Sequence, residues 1–195
     1  MKNRMRAMAA VAVMLSLALA GCSSGDNEED SSPGAASAAD VNDADVMFAT
    51  MMIPHHEQAI EMSDIVLGKQ DIDPAVSDLA EQIKQAQGPE ITQLQGWLQD
   101  WGVDPDDASG MDHSEHGGMD GMMSESDMAA LESADGAEAS RLFLEQMIEH
   151  HEGAIDMAQT QVDDGESTDA IALAQDIVDT QAAEIDQMRN LLADL

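Results

Sequence analysis

Four histidines and four methionines stand in two matching settings. Met52, His55, His56 and Met62 lie in FATMMIPHHEQAIEMS at residues 48–63, and Met147, His150, His151 and Met157 in FLEQMIEHHEGAIDMA at residues 143–158. Thioether and imidazole donors together favour Cu(I) and tolerate Cu(II) where imidazole dominates, whereas iron and zinc fit such a set less well. In each copy Met stands three residues before the first His and again seven after it, so all three project from one face of a helix. Neighbouring histidines point about 100° apart on a helix, so one of each pair is expected to face the interior while the other lines a groove. Glu57 and Glu152 follow the pairs directly and are candidate outer partners. Gln87 with Glu90, and Gln181 with Glu184, are spaced to act as outer partners that fix imidazole tautomers.

The elements that must position these side chains also repeat. The two motifs align without gaps at an offset of 95, and LAEQIKQAQGPEITQLQGWL at residues 79–98 aligns with LAQDIVDTQAAEIDQMRNLL at residues 173–192 at an offset of 94. The chain therefore reads as two tandem copies of a two-segment unit, each too small to bury its apolar face alone. Helical periodicity predicts helices over 43–68, from the Asp73 cap and Pro74 to Asp100, over 125–163 and over 167–194. The third opens at Ser124 with Asp127 and should be interrupted near Asp135 and Gly136. Pro54 and Pro89 each remove a backbone donor and are expected to bend or restart their helices. Met47, Met128 and Met188 read as core filler. The expected fold is all-α, a four-helix bundle made of two tandem helical hairpins. The repeat should bring the first and third helices together, and the second and fourth likewise, so that the His pairs converge.

Between the halves, residues 104–125 set Met111, His113, His116, Met119, Met122 and Met123 among Gly, Ser and Asp. Such a connector cannot build a core, and its soft side chains are candidate loop ligands.

The N-terminus reads as an export signal over residues 1–21, with Lys2, Arg4 and Arg6 ahead of an apolar run too short to span a bilayer. It ends in Leu19, Ala20, Gly21 and Cys22, which resembles a lipobox, so Cys22, the chain's one cysteine, is expected to carry lipid. Residues 22–41 read as a disordered tether and residues 42–195 as the bundle domain. The expected location is the extracytoplasmic side of a membrane, periplasm or cell surface, with membrane contact through the lipid alone. The net charge is −33, and about −36 once the three basic residues of the signal leave. That charge excludes nucleic acid as a partner.

Several chemistries are set aside. No second His follows His56 and Glu57 at zincin spacing, and no Glu stands three residues before a bundle His as a ferritin-type di-iron site requires. With Cys22 committed to lipid there is no thiol nucleophile, and no Gly-rich phosphate loop is present, so no catalytic residue is assigned. Copper binding, buffering or tolerance, with an envelope copper-handling protein as possible partner, is the leading reading. A non-metal envelope interaction module and a metal-dependent redox enzyme are the alternatives.

The doubled motif resembles the bacterial domain-of-unknown-function family 305, the CopM-like family, over residues 42–195. The resemblance implies a ferritin-like four-helix fold, export, and for some members periplasmic copper binding and copper resistance. Its motif positions fall on Met52, His55, His56 and Met62, and on Met147, His150, His151 and Met157. The family's second half often carries Phe and Asp where this chain has Ala139 and Ser140, although Asp45 keeps the acidic residue in the first half.

Overall fold

The structure, a computed structural model, describes residues 41–103 and 120–195. The expected signal, Cys22, nearly all of the tether, and Met111, His113, His116 and Met119 of the connector lie outside the described residues. Among those described there are five helices and no strand: α1 (Asp43–Leu67), α2 (Pro74–Asp100), α3 (Glu125–Ser133), α4 (Gly136–Asp164) and α5 (Thr168–Asp194). The four long helices form an all-α bundle of two hairpins, α1 with α2 and α4 with α5, joined by packing of α1 against α4. The α2 and α5 backbones do not pack closely as the repeat led one to expect, although both helices contribute residues to each core cluster.

Local chemistry sets the boundaries. Asn42 and Asp45 make a reciprocal capping box at the start of α1, with Asn42 N–H donating to Asp45 Oδ2 at 2.8 Å and Asp45 N–H to Asn42 Oδ1 at 3.1 Å. Asp73 caps α2, accepting from Ala75 N–H, with Pro74 in the first turn where its missing donor costs nothing. Ser124 and Asp127 repeat the capping box at α3. The interruption expected near Asp135 is complete, so α3 and α4 are separate helices. Lys69 Nζ donates to the Glu132 and Ala134 carbonyls at the end of α3, satisfying groups that a continued helix would have used. Neither Pro54 nor Pro89 restarts its helix, because the flanking turns are held by buried Met51, Met52 and His55 in α1 and by Gln87 and Leu94 in α2.

Two further latches tie the hairpins together. Buried Asp45 accepts from Gln161 Nε2 at 2.5 Å and from the backbone N–H groups of Glu166 and Ser167, at the entry to α5. In the second half Ser140 takes the corresponding place, its Oγ accepting from Asp73 N–H at 3.1 Å at the entry to α2.

The core has two apolar parts. One gathers Met62, Leu79, Ile83, Phe143, Leu144, Met147 and Met188, and the other Phe48, Met52, Leu94, Leu98, Ala154 and Ile177. Trp97 and Trp101 lie against the second part and stack with ring centroids 5.9 Å apart and planes 15° apart. On every long helix the stretch between the two parts carries a polar pair: His55 and His56 on α1, Gln87 and Glu90 on α2, His150 and His151 on α4, Gln181 and Glu184 on α5. A polar layer thus crosses the bundle.

Candidate metal centre

The layer is assembled from side chains whose directions follow from helix geometry. His55 and His150 point inward and meet, ring centroids 3.8 Å apart with planes tilted by 44°. They are 1% and 0% exposed, and none of their four ring nitrogens has a hydrogen-bond partner among the described residues. Burying a polar group unpaired costs about 1–3 kcal/mol each, so this pair loads the interior with unused donor and acceptor capacity. Burial, followed by the neighbouring His56 and His151, lowers the His55 pKa to about 3; the Asp120 backbone, near the ring but outside hydrogen-bond geometry, acts the other way. His150 is held well below the ordinary imidazole range, first by burial and then by His55, His151 and His56. Both rings are therefore neutral at neutral pH, the state in which imidazole binds metal.

The second histidine of each pair turns toward the partner helix of its own hairpin. His56 Nε2 donates to Glu90 Oε2, and His151 Nε2 to Glu184 Oε2, both at 2.7 Å. A carboxylate accepts, so Nε2 carries a proton, and in the neutral form of the ring the lone pair lies on Nδ1. Both Nδ1 atoms are buried without a partner among the described residues. These histidines are fully buried and line no groove. Glu90 and Glu184, read from their spacing as candidate outer partners, make these two bonds. Gln87 and Gln181 lie beside them without bonding the imidazoles, each with Oε1 unpartnered. Glu57 and Glu152 are corrected: both point to solvent, Glu152 accepting from Arg189 at 2.9 Å, because a residue next to two inward histidines falls on the outer face.

The methionines divide. Met52, Met62 and Met147 are fully buried, Met52 in one apolar part and Met62 with Met147 in the other. Met157 is only partly buried and lines a surface pocket with Met47 and Met51. Of the connector residues described, Met122 is partly exposed, while Met123 packs into the core. Gln58 holds the Met123 backbone from both sides, its Nε2 donating to the carbonyl at 2.9 Å and its Oε1 accepting from the N–H at 2.7 Å. That fixed backbone turns a candidate loop ligand into core filler.

Sequence reasoning missed what covers the layer. Residues 120–123 cross α4 so closely that a Cβ on Gly153 would stand 2.0 Å from the Asp120 carbonyl oxygen. Gly121 has φ +83°, and a Cβ there would meet the Glu149 carbonyl at 2.8 Å. Glycine is required at both places, at Gly121 for its backbone and at both for the close approach. Paired glycines on a connector and a helix are the signal that marked this crossing.

Among the described residues no three His, Cys, Asp or Glu side chains form a coordination set. The available donors are imidazole nitrogen and thioether sulfur, a composition that fits a soft ion and gives little to Mg2+, Ca2+ or Mn2+.

The family described as Domain of unknown function (DUF305) matches residues 45–192. Among solved structures, a DUF305 protein from Streptomyces coelicolor regarded as secreted is similar at 36% identity and TM-score 0.72, over 80% of this chain and 93% of that one. A DUF305 fragment from Deinococcus radiodurans is similar at 31% identity and TM-score 0.69, over 80% and 99%. CopM in its Cu(I)-bound form is similar at 33% identity and TM-score 0.63, over 77% and 96%, and CopM is also solved with Cu(II) and with Ag. Among curated proteins none matches.

Proposed function

The chain belongs to the DUF305 family, and from that premise we propose that it binds copper, Cu(I) in preference to Cu(II), and buffers it or passes it to an envelope partner. The observation that carries this reading is the buried His55–His150 contact, in which four ring nitrogens lack partners among the described residues. Neutral imidazoles whose desolvation has already occurred on folding are poised to give their lone pairs to an ion. His55 and His150 would hold it, with Met52, Met62 and Met147 as thioether donors from the adjoining core. His56 and His151, oriented by Glu90 and Glu184, offer Nδ1. Copper is cargo here, and the protein's part is to supply soft donors in a site that excludes water. The copper and silver complexes of CopM support the metal class.

The same reading includes export and a lipid anchor on Cys22, which would keep the domain where extracytoplasmic copper passes. The test is a Cu(I) titration of the protein against a chromogenic chelator, with Zn(II) and Fe(II) as controls. Tight Cu(I) binding that is lost in the His55→Leu/His150→Leu variant is the expected result. Equal affinity in that variant would overturn the assignment.

A further inference from the structure

We propose that Met47, Met51 and Met157, with the side-chain oxygen of Gln161, form a second site for a soft monovalent ion, open to solvent and separate from the buried histidines. A pocket of about 180 Å³ lies between the start of α1 and the end of α4, and these four residues line it. Met47 and Met51 stand one turn apart on α1, and Met157 reaches the same opening from α4. Met47 and Met157 are half-buried at the mouth, and Met51 is 7% exposed.

Gln161 supplies an independent indication. It is 1% exposed, and its Nε2 is committed to Asp45 Oδ1 at 2.5 Å. Asp45 accepts without donating, so the amide nitrogen must face it and the oxygen must face away. That Oε1 is buried with no partner among the described residues, in a side chain that lines the pocket. An acceptor held in place by a neighbouring carboxylate is a fixed negative dipole on a side chain that shares this lining with three thioethers. Asp43 and Asp164 also line the pocket, and no lysine or arginine does among the described residues, so the local field attracts cations. Hard divalent ions want several oxygens and keep their water, whereas three sulfurs and one amide oxygen suit Cu(I) or Ag(I). Thioethers are neutral and compete with no proton, so the pocket would take an ion directly from solvent.

The inference stands apart from the histidine reading, and one experiment separates them. The full chain carrying 13C-methyl methionine is titrated with Ag(I), a redox-inert probe, and followed by methyl-resolved NMR, in which connector and core methionines report through their own signals. The methyl signals of Met47, Met51 and Met157 are expected to shift together, and to do so equally in the His55→Leu/His150→Leu variant. The Met47→Leu/Met51→Leu variant should bind one Ag(I) fewer per chain, lose the Met157 response and keep its melting temperature, since leucine fills the same apolar volume. The proposal is overturned if these three signals stay fixed while others move, or if the leucine variant binds as much Ag(I) as before. Failure of the histidine reading looks different, as Cu(I) affinity unchanged by the histidine substitutions.

Discussion

His55 and His150 occupy matching places in the two motifs and touch each other, ring centroids 3.8 Å apart, at the centre of the bundle. Each contributes two buried nitrogens without partners among the described residues, so the contact costs stability in the metal-free protein. Replacing both by leucine, of similar volume, should raise metal-free stability by about 1–3 kcal/mol, as relief of unpaired polar burial outweighs imperfect repacking. Urea denaturation of both proteins measures it, and a less stable variant would show that the rings stabilise the core by packing.

The same burial sets a pH dependence. His55 has its folded pKa lowered to about 3 from an ordinary 6.5, so between those values the unfolded chain binds a proton that the folded chain refuses. Stability is therefore lost as pH falls, by up to about 1.4 kcal/mol per pH unit for each such group. His150 acts in the same direction. Carboxylate protonation relieves acidic repulsion in the same range, so the comparison must be made against the leucine variant. Wild type should lose more stability than the variant between pH 6.5 and 4, and parallel curves would contradict the shift.

Glu90 and Glu184 lie 2.7 Å from Nε2 of His56 and His151, and a carboxylate acceptor there favours the Nε2–H tautomer. In Glu90→Gln/Glu184→Gln the charge-assisted acceptor becomes a neutral amide that can also donate, so the Nε2–H form loses its preference. Cu(I) affinity should fall roughly 10- to 100-fold, the range common for such outer partners. Chelator competition reads the affinity and imidazole 15N shifts read the tautomer. An unchanged tautomer would remove these glutamates from the mechanism.

Gly153 lets residues 120–123 lie across α4. In Gly153→Ala the added methyl would meet the Asp120 carbonyl at 2.0 Å, and since both neighbours are backbone the strap must lift. Hydrogen exchange at residues 120–123 should quicken, and bound copper should transfer faster to a chelator. Protection equal to wild type would mean that the crossing tolerates the methyl.

Asp45 and Ser140 stand in corresponding places but carry different loads. Asp45 serves Asn42, Gln161, Glu166 and Ser167, whereas Ser140 accepts from Asp73 and donates to the Gly136 carbonyl. Asp45→Ala leaves several donors without an acceptor and should cost about 3 kcal/mol or more, against about 1 kcal/mol for Ser140→Ala. Equal losses in denaturant titrations would show the two latches to be equivalent.

Much of this arrangement was legible in the chain because it rests on local rules. The Asp73 cap, the Ser124 opening, apolar periodicity and the doubled motif locate the helices within a residue or two. Residue spacing also anticipated Glu90 and Glu184, since a hairpin with a short turn puts them beside the histidine pairs. The rest depends on contacts between distant segments. Helical spacing puts Met157 on the His150 face, yet the crossing of α1 and α4 carries it to a pocket with Met47 and Met51. Nor does spacing reveal that Gln58 would bury Met123, or that Gln161 would be fixed by Asp45. Pro54 and Pro89 do not restart their helices for the converse reason, because tertiary packing overrode a local preference.

The stacked Trp97 and Trp101 have an optical consequence. They are the chain's two tryptophans, and it contains no tyrosine, so its indole emission originates wholly beside the apolar part formed by Phe48, Leu94, Leu98 and Ile177. Light from this protein reports on one side of the histidine layer and is blind to the other. Emission and circular dichroism will trace the same melting curve only if the two halves of the core give way as one cooperative unit.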